Sequence, residues 1–466
     1  MQRILAISWL TWKAALRFKL FLVIAALLIL AVVGLPLIIK DDGTARGFTQ
    51  ILLTYTLSAV TALLGLSTLW LSCGTLARDI EECQIQVVAT KPIARWQIWI
   101  GKWLGIMSLN ALLLALSGAC IYGLLQWRAS RLPAEEQKVL REQVLVARGS
   151  AKEQNYDAQI DSETAVILTN RLKTSPVDKV DLLEVTKQIR EQVKADFQIV
   201  PPANYRVWQI DLGYAKNFLH DEPLQLRVKF NSAQKSPSGT FLALWQVGVP
   251  GKTKLWRSEP MSLAPDTDIS HAVHEFEIPP DLFDTNGLLT ITFINPNQTT
   301  LLFPLEDGME VLYPEGGFAL NFARGLGIIF CWLALMAALG LTAASFLSFP
   351  VATFFSLALL SVVLSSGTLA ETIDSGSVVA GNEDNGAPGH SAADAFLIPM
   401  FKGILIMVQL VQNFSPIDAL SSGRSIPWSE LGEAFAQIVL FLGGIVALAG
   451  IILFGRRELA TAQGTQ

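Results

Sequence analysis

The chain has 466 residues, of which 51% are hydrophobic and 16% charged, and its mean hydropathy is +0.43. So much apolar surface cannot be hidden in one soluble core, which excludes an ordinary water-soluble enzyme and points to a membrane protein. The net charge of −5 is carried by dispersed residues, with no massed basic stretch that would mark a nucleic-acid-binding protein.

Residues 1–19, MQRILAISWLTWKAALRFK, place Ile4, Ile7, Leu10, Trp12, Leu16 and Phe18 at roughly helical spacing against Arg3, Lys13 and Arg17. This pattern predicts an interfacial amphipathic helix. The stretch is long for a signal-peptide n-region and no A-x-A site follows the next apolar run, so it reads as an uncleaved anchor. A bilayer core of about 30 Å needs roughly 20 apolar residues as a helix. Leu20 to Ile39, Ile51 to Leu76, Leu104 to Leu125, Leu326 to Leu347 and Ala436 to Phe454 satisfy this, and Val351 to Ser366, after a turn at Phe349-Pro350, is a shorter sixth span.

Lys and Arg near span ends gather on one side: Arg3, Lys13, Arg17 and Lys19, then Arg78, Lys91, Arg95 and Lys102, then Arg456 and Arg457. That side is expected to be the cytoplasm, with both termini on it. Arg324 and Lys102 sit at span ends and are expected to snorkel outward. Phe396 to Phe414 is apolar but contains Pro399 and Lys402; a span there would put Arg456 and Arg457 outside, so it is expected to be interfacial or re-entrant on the outer side. The tract from Glu371 to Ala393 is rich in Gly, Ser, Asn and acids and reads as an external loop.

From Arg128 onward charges appear every few residues, as in a soluble domain. Ala134 to Arg148 and Val177 to Gln198 read as helices. Beyond Pro201-Pro202, alternating runs at Tyr205–Leu212, Leu224–Phe230, Thr240–Val247, Lys254–Arg257, Ala272–Ile278 and Leu288–Asn295 predict an antiparallel sandwich. Cys73, Cys83, Cys120 and Cys331 lie in or beside apolar segments, which argues against a disulfide framework in this domain.

The expected fold is an α-helical polytopic membrane protein with six transmembrane helices, plus an inserted α+β extracytoplasmic domain containing a jelly-roll-like β-sandwich. Residues 1–19 form the interfacial helix, 20–127 three spans with a cytoplasmic helix at about 77–91, and 128–322 the external domain, helical over 128–200 and sandwich over 203–300. Residues 323–367 form two more spans, 368–432 an external loop with the helix at about 396–414, and 433–466 the last span and a cytoplasmic tail.

The segment ARDIEECQIQVVATKPIARWQIWIGKWLG, residues 77–105, carries an acidic run of Asp79, Glu81 and Glu82, a short apolar stretch from Ile85 to Ala89 that includes Val88, then Pro92, Ala94, Arg95 and Gly101-Lys102. In this order the segment resembles the cytoplasmic coupling segment of type-two ABC exporter permeases. Gln412 to Asp418, Gly423 to Trp428 and Phe454 to Leu459 look like the tail of the same family, nearest by eye to permeases of nitrous-oxide-reductase maturation and gliding-motility systems. The resemblance covers roughly the first 127 and last 145 residues, and Cys83-Gln84 departs from the family's common Gly-Thr.

The resemblance implies a permease subunit in a bacterial inner membrane, acting as a homodimer or heterodimer with separate ABC ATPase subunits that carry the ATP and Mg²⁺. It also implies an ATPase-coupling role for Asp79, Glu81, Glu82, Ile85, Val88, Pro92 and Arg95. Pro92 would fix the exit of the coupling helix, and the acids would favour the positive end of its dipole. No G-x-x-x-x-G-K-[ST] loop, H-E-x-x-H motif or G-x-S-x-G elbow occurs, so no catalytic, cofactor or metal site is expected in this chain. His271 and His274 lack a clear third ligand and read as surface residues. Gly118, Ala119 and Gly123, or Gly443, Gly444 and Gly450, offer small-residue faces for dimerisation. A rival expectation is a mechanical or assembly device acting through the inserted domain on an extracytoplasmic protein or glycan, with nothing transported.

Overall fold

The computed structural model describes residues 2–17, 20–38, 45–82, 93–140, 145–174, 182–234, 236, 238–266, 273–365 and 394–457. The chain divides into two compact units, Met1–Ala147 with Gly316–Gln466, and Arg148–Glu315.

The first unit opens with helices α1 (Gln2–Arg17), α2 (Leu20–Ile38), α3 (Ala45–Glu81), α4 (Arg95–Ala129) and α5 (Ala134–Val139). At 1.5 Å per residue, α3 and α4 are each roughly 50 Å long, well beyond a bilayer core of about 30 Å. Ala94 caps α4 in an extended conformation, and the Gln97 side-chain carbonyl accepts its N–H at 3.3 Å.

The amphipathic helix α1 packs along α4 at two glycines one turn apart. A Cβ on Gly101 would stand 2.7 Å from Ile7 Cβ, and one on Gly105 would stand 2.7 Å from Thr11 Cβ. Only a bare backbone allows that approach, and Trp12 then donates its indole N–H to Ser108 Oγ at 2.7 Å.

The second unit follows the alternating pattern over most of its sheet. Its strands and helices are β1 (Val146–Lys152), α6 (Asp157–Thr174), α7 (Leu182–Gln198), β2 (Ile199–Val200), β3 (Tyr205–Asp211), β4 (Leu224–Val228), β5 (Asn231–Ser232), β6 (Phe241–Val247), β7 (Trp256–Arg257), β8 (Met261–Leu263), β9 (His274–Ile278), β10 (Leu288–Ile294), β11 (Leu301–Leu302) and β12 (Met309–Gly317). One sheet has the order β1-β12-β4-β9, a second β3-β10-β6-β7 with β8 beside β6, and a small third β2-β11-β5. Leu224, Leu226, Val228 and Ile278 from the first sheet meet Trp208, Ile210, Trp245, Leu289, Ile291 and Phe293 from the second in one core. Trp245 and Phe293 lie 4.8 Å apart at its centre, and Phe303 lies 4.9 Å from Phe293.

The other face of the first sheet is charged but sequestered. Glu275 accepts from Arg148 at 2.9 Å and from Arg227 at 2.6 Å, and Arg227 reaches Glu310 at 3.3 Å. Two cations and two carboxylates neutralise one another across four strands, which is how charges persist where side chains are only 1–11% exposed. The helix expected over 134–148 is instead α5, ending at Val139, followed by β1 from Val146. α6 lies within the stretch 128–200 expected to be helical, although it was not singled out as a helix of its own; it pairs with α7 through Ile160, Ile189 and Val193. The compact β-sheet unit spans Arg148–Glu315, within the 128–322 expected for the external domain, and residues 130–147, with α5, group with the helical unit.

The chain returns to the first unit as α8 (Phe318–Phe346), α9 (Phe349–Leu364), α10 (Asp394–Gln412), α11 (Pro416–Ser421), α12 (Trp428–Ala434), a π-helical stretch Phe435–Leu442 and α13 (Gly443–Arg456). α8 is the axis of the bundle, touching α3, α4, α9 and α13. Its buried Ala334, Ala337, Ala338, Ala343 and Ala344 keep those neighbours close.

Among the described residues five helices are long and apolar enough to cross a membrane: Gly47–Glu81, Arg95–Ala129, Phe318–Phe346, Pro399–Ser421 and Trp428–Arg456. Leu22–Pro36 and Phe349–Leu364 are apolar but shorter. The protein is thus membrane-embedded and mostly helical, with a separate β-sheet domain. Pro399–Ser421 overlaps the segment read from sequence as interfacial or re-entrant, and it satisfies the length and hydropathy of a span.

The glycine seam gives a direct check. Gly101→Leu should overpack the α1–α4 contact and cost about 1–3 kcal/mol, whereas Gly123→Leu on the same helix, where a Cβ meets nothing within 4 Å, should be near neutral. Thermal unfolding of the two variants in detergent measures the difference.

Candidate functional site

The residues flanking 83–92 are fastened into the bundle by side chains from four directions. Glu82 is the last described residue on the near side, and Ile93 is the first on the far side. Ile85, Val88 and Pro92 lie outside the described residues.

Asp79 and Glu81 belong to the last turn of α3 rather than to the start of a separate helix. Carboxylates at a helix C-terminus face its negative end, so each needs an external partner. Asp79 receives the Lys102 ammonium at 2.5 Å, and the same ammonium donates to the Thr75 carbonyl at 2.7 Å. Glu81 accepts the Phe349 backbone N–H at 2.8 Å and so caps the start of α9. Phe349 is also gripped by Arg78, whose guanidinium lies 4.3 Å from the ring centroid, and by Trp70, edge-on at 5.4 Å.

On the other side of the segment, Arg95 donates to the carbonyls of Phe454 at 3.0 Å, Gly455 at 2.7 Å and Arg457 at 2.8 Å. One guanidinium nitrogen, Nη1, set among the carbonyls that close α13 meets groups a helix end leaves open and complements its dipole. Arg457 repeats the arrangement on α8, donating to Ala344 at 3.4 Å and Ser345 at 3.2 Å.

The two ends of segment 83–92 are therefore locked to α4, α9 and α13, and α13 in turn to α8. Asp79, Glu81 and Arg95, expected to face an ATPase, spend their hydrogen bonds inside the chain. Glu82 is exposed, and its backbone N–H bonds to the Arg78 carbonyl at 2.8 Å.

Lys102 is only 7% exposed and Arg324 only 8%, so neither snorkels. Apolar patterning places Lys102 at the mouth of a span, whereas the helix already begins at Arg95, two turns earlier, which turns the lysine inward onto α3. Gly118 packs on Leu326 and Gly450 on Thr342 and Trp99, so these two glycines serve internal helix contacts. Ala119 is exposed, and a Cβ on Gly123 or Gly444 meets nothing within 4 Å. In the β-sheet unit, His274 Nε2 lies 2.8 Å from the Ala264 carbonyl, and His271 is outside the described residues. His220 and Lys254 flank Asp281 at 3.2 and 2.8 Å, and the lysine bond holds that carboxyl below its usual range.

A double-mutant cycle tests the clamp. Removing one partner of the Lys102–Asp79 pair leaves the other at a site where the lysine side chain is 8% and the aspartate 29% exposed. Allowing for screening at the aspartate, Asp79→Asn or Lys102→Met alone should cost about 2 kcal/mol, and the pair should couple by about 1–2 kcal/mol in thermal unfolding.

No protein-family model and no curated protein matches this chain.

Proposed function

We propose that the chain is the membrane-spanning permease subunit of an ATP-driven ABC exporter, coupled through residues 83–92 to separate ATPase subunits that bind ATP and Mg²⁺. The observation that carries the reading is the clamp around that segment. A push on a short cytoplasmic helix does work only if it displaces spans rather than bending a loop. Here Asp79, Glu81 and Arg95 tie its flanks to four helices within the bundle. Glu82 is exposed, and Ile85, Val88 and Pro92 follow it in the sequence; these are the residues we assign to the partner's side of the coupling. Nucleotide-driven closure of the ATPases then shifts the bundle between states by differential binding.

Helix directions support six spans. α8 runs from Phe318 toward the clamp, where Arg457 caps it, and α9 starts at the clamp on Glu81 and leads away. α10 ends at Gln412 and leads through Phe414 into α11, whose Leu420 packs at Gly325 in the Phe318 half of α8. With the polar tract 366–393 between them, α9 delivers the chain to the far side and α10 ends there, as an interfacial or re-entrant helix does. The spans are then α2, α3, α4, α8, α9 and α12–α13, with Arg78, Arg95, Arg456 and Arg457 on the cytoplasmic face of a bacterial inner membrane. Two such chains, or this chain and a relative, would enclose the path.

A second reading is an ATP-driven mechanical device acting on an extracytoplasmic protein or glycan, and the β-sheet unit favours it by having a complete core of its own. The orders β1-β12-β4-β9 and β3-β10-β6-β7 of its two main sheets support the jelly-roll reading, and Tyr205, Val207 and Ile294 are exposed on the outer face of one. Deleting 148–315 separates the readings, since export should persist in some form under the first and all function should vanish under the second.

Gentle purification from the native membrane tests the proposal. A P-loop ATPase should accompany the wild-type chain and be weakened by Glu82→Lys and Pro92→Ala; a chain that comes down alone, or only with external partners, is not a permease of this kind.

A further inference from the structure

Arg324 is a buried cation that the clamp and the helix caps leave unexplained. It lies on α8 between Asn321 and Gly325, inside an apolar helix, and is 8% exposed. Among the described residues it makes no ion pair and no hydrogen bond, its Nε is buried without a partner, and its only recorded contact is the Trp428 ring, 5.5 Å from the guanidinium carbon.

A second unsatisfied donor lies on the segment that faces it. Asn321 donates to the Arg424 carbonyl at 2.7 Å and accepts the Ile426 N–H at 2.7 Å, so residues 424–426 run along this turn of α8. A Cβ on Gly325 would stand 3.3 Å from Ile426 Cδ1, which confirms the close approach. Ser425, held between those two bonds, has its hydroxyl buried with no protein partner. Two adjoining segments thus present a guanidinium N–H and a hydroxyl, both withdrawn from water and both unmet. Buried polar groups are almost always hydrogen-bonded, and an ionisable residue in a membrane helix usually marks a ligand.

We propose that Arg324 and Ser425 hold the phosphate of an amphiphile in the leaflet at the Phe318 end of α8. The planar guanidinium fork suits a phosphate, and the serine hydroxyl adds a neutral donor. The adjoining surface suits the rest of such a molecule. Trp428 is 62% exposed and Phe435 48%, seven residues apart and hence on one helical face. That pair forms an apolar strip running from the guanidinium along the span, with the indole at its start in the position aromatic residues favour at a membrane interface. The site requires only that this unit be membrane-embedded, and it stands or falls separately from the ATPase coupling.

Native mass spectrometry of the full chain in neutral detergent, titrated with phosphatidylglycerol, tests it. Arg324→Gln should lower occupancy of the first bound lipid about tenfold, the scale of one lost charge-assisted bond. Ser425→Ala should lower it by a smaller factor, and Arg131→Gln, an exposed arginine stacked on Trp127, should leave it unchanged. A parallel titration with inorganic phosphate identifies the source: displacement of the first lipid assigns the site to free phosphate, and no displacement assigns it to the amphiphile. Equal lipid occupancy in the wild type, Arg324→Gln and Ser425→Ala overturns the proposal. Gel filtration verifies that each variant is folded, and if Arg324→Gln is not, Ser425→Ala alone decides.

Discussion

A lysine ammonium turned inward at the end of a membrane bundle must find a counter-charge, and at Lys102 that requirement joins two helices. Its bonds to Asp79 and to the Thr75 carbonyl bind α4 to the last turns of α3, which allows α3 to continue to Glu81 despite carboxylates at its unfavourable end. Once α3 ends there, Glu81 is in place to cap α9, and the helix that begins at Arg95 can offer its first side chain to the end of α13. The same electrostatic need, open backbone groups at helix ends in a poor solvent, is met four times with charged side chains. The result is a set of charged contacts that ties the residues on either side of segment 83–92 into the bundle.

Packing within the bundle serves the same end. Alanines along α8 and the paired glycines on α4 allow backbones to come close, so that bundle stiffness rests on many short contacts rather than a few large side chains. The β-sheet unit is held differently. Its two main sheets enclose an aromatic core, while the outer face of one carries Arg148, Arg227, Glu275 and Glu310 in a neutral cluster whose members depend on one another.

Much of this was legible in the sequence where a periodic pattern had a single cause. Strands β3, β4, β6, β9 and β10 alternate because one face meets the core, and the apolar runs mark the membrane helices because length and composition suffice there. β1 was lost to a helical reading because its sequence, VARGSAK, shows no apolar alternation: the residues that would mark its second face are Arg148 and Ser150, committed to the charge cluster. α6 falls in the region expected to be helical, but its bounds were not legible because mostly polar residues surround the few positions, such as Ile160 and Leu168, that meet α7. Asp79, Glu81 and Arg95 were read as facing an ATPase, but charge and order in a sequence do not say whether a side chain looks outward or back into its own chain. The inward turn of Lys102 and Arg324 was hidden for the same reason.

The clamp is tested most directly by amide hydrogen exchange on the purified chain carrying Arg95→Gln. Arg95 lies some 360 residues from the carbonyls it caps in sequence, so local propensity cannot link them. If it closes α13 as described, exchange should quicken at residues 453–457, where the last turn frays, while the middle of α8 stays protected. Unchanged exchange at 453–457 would mean that α13 ends without help from α4, and that the flanks of segment 83–92 are not joined to the bundle as one body.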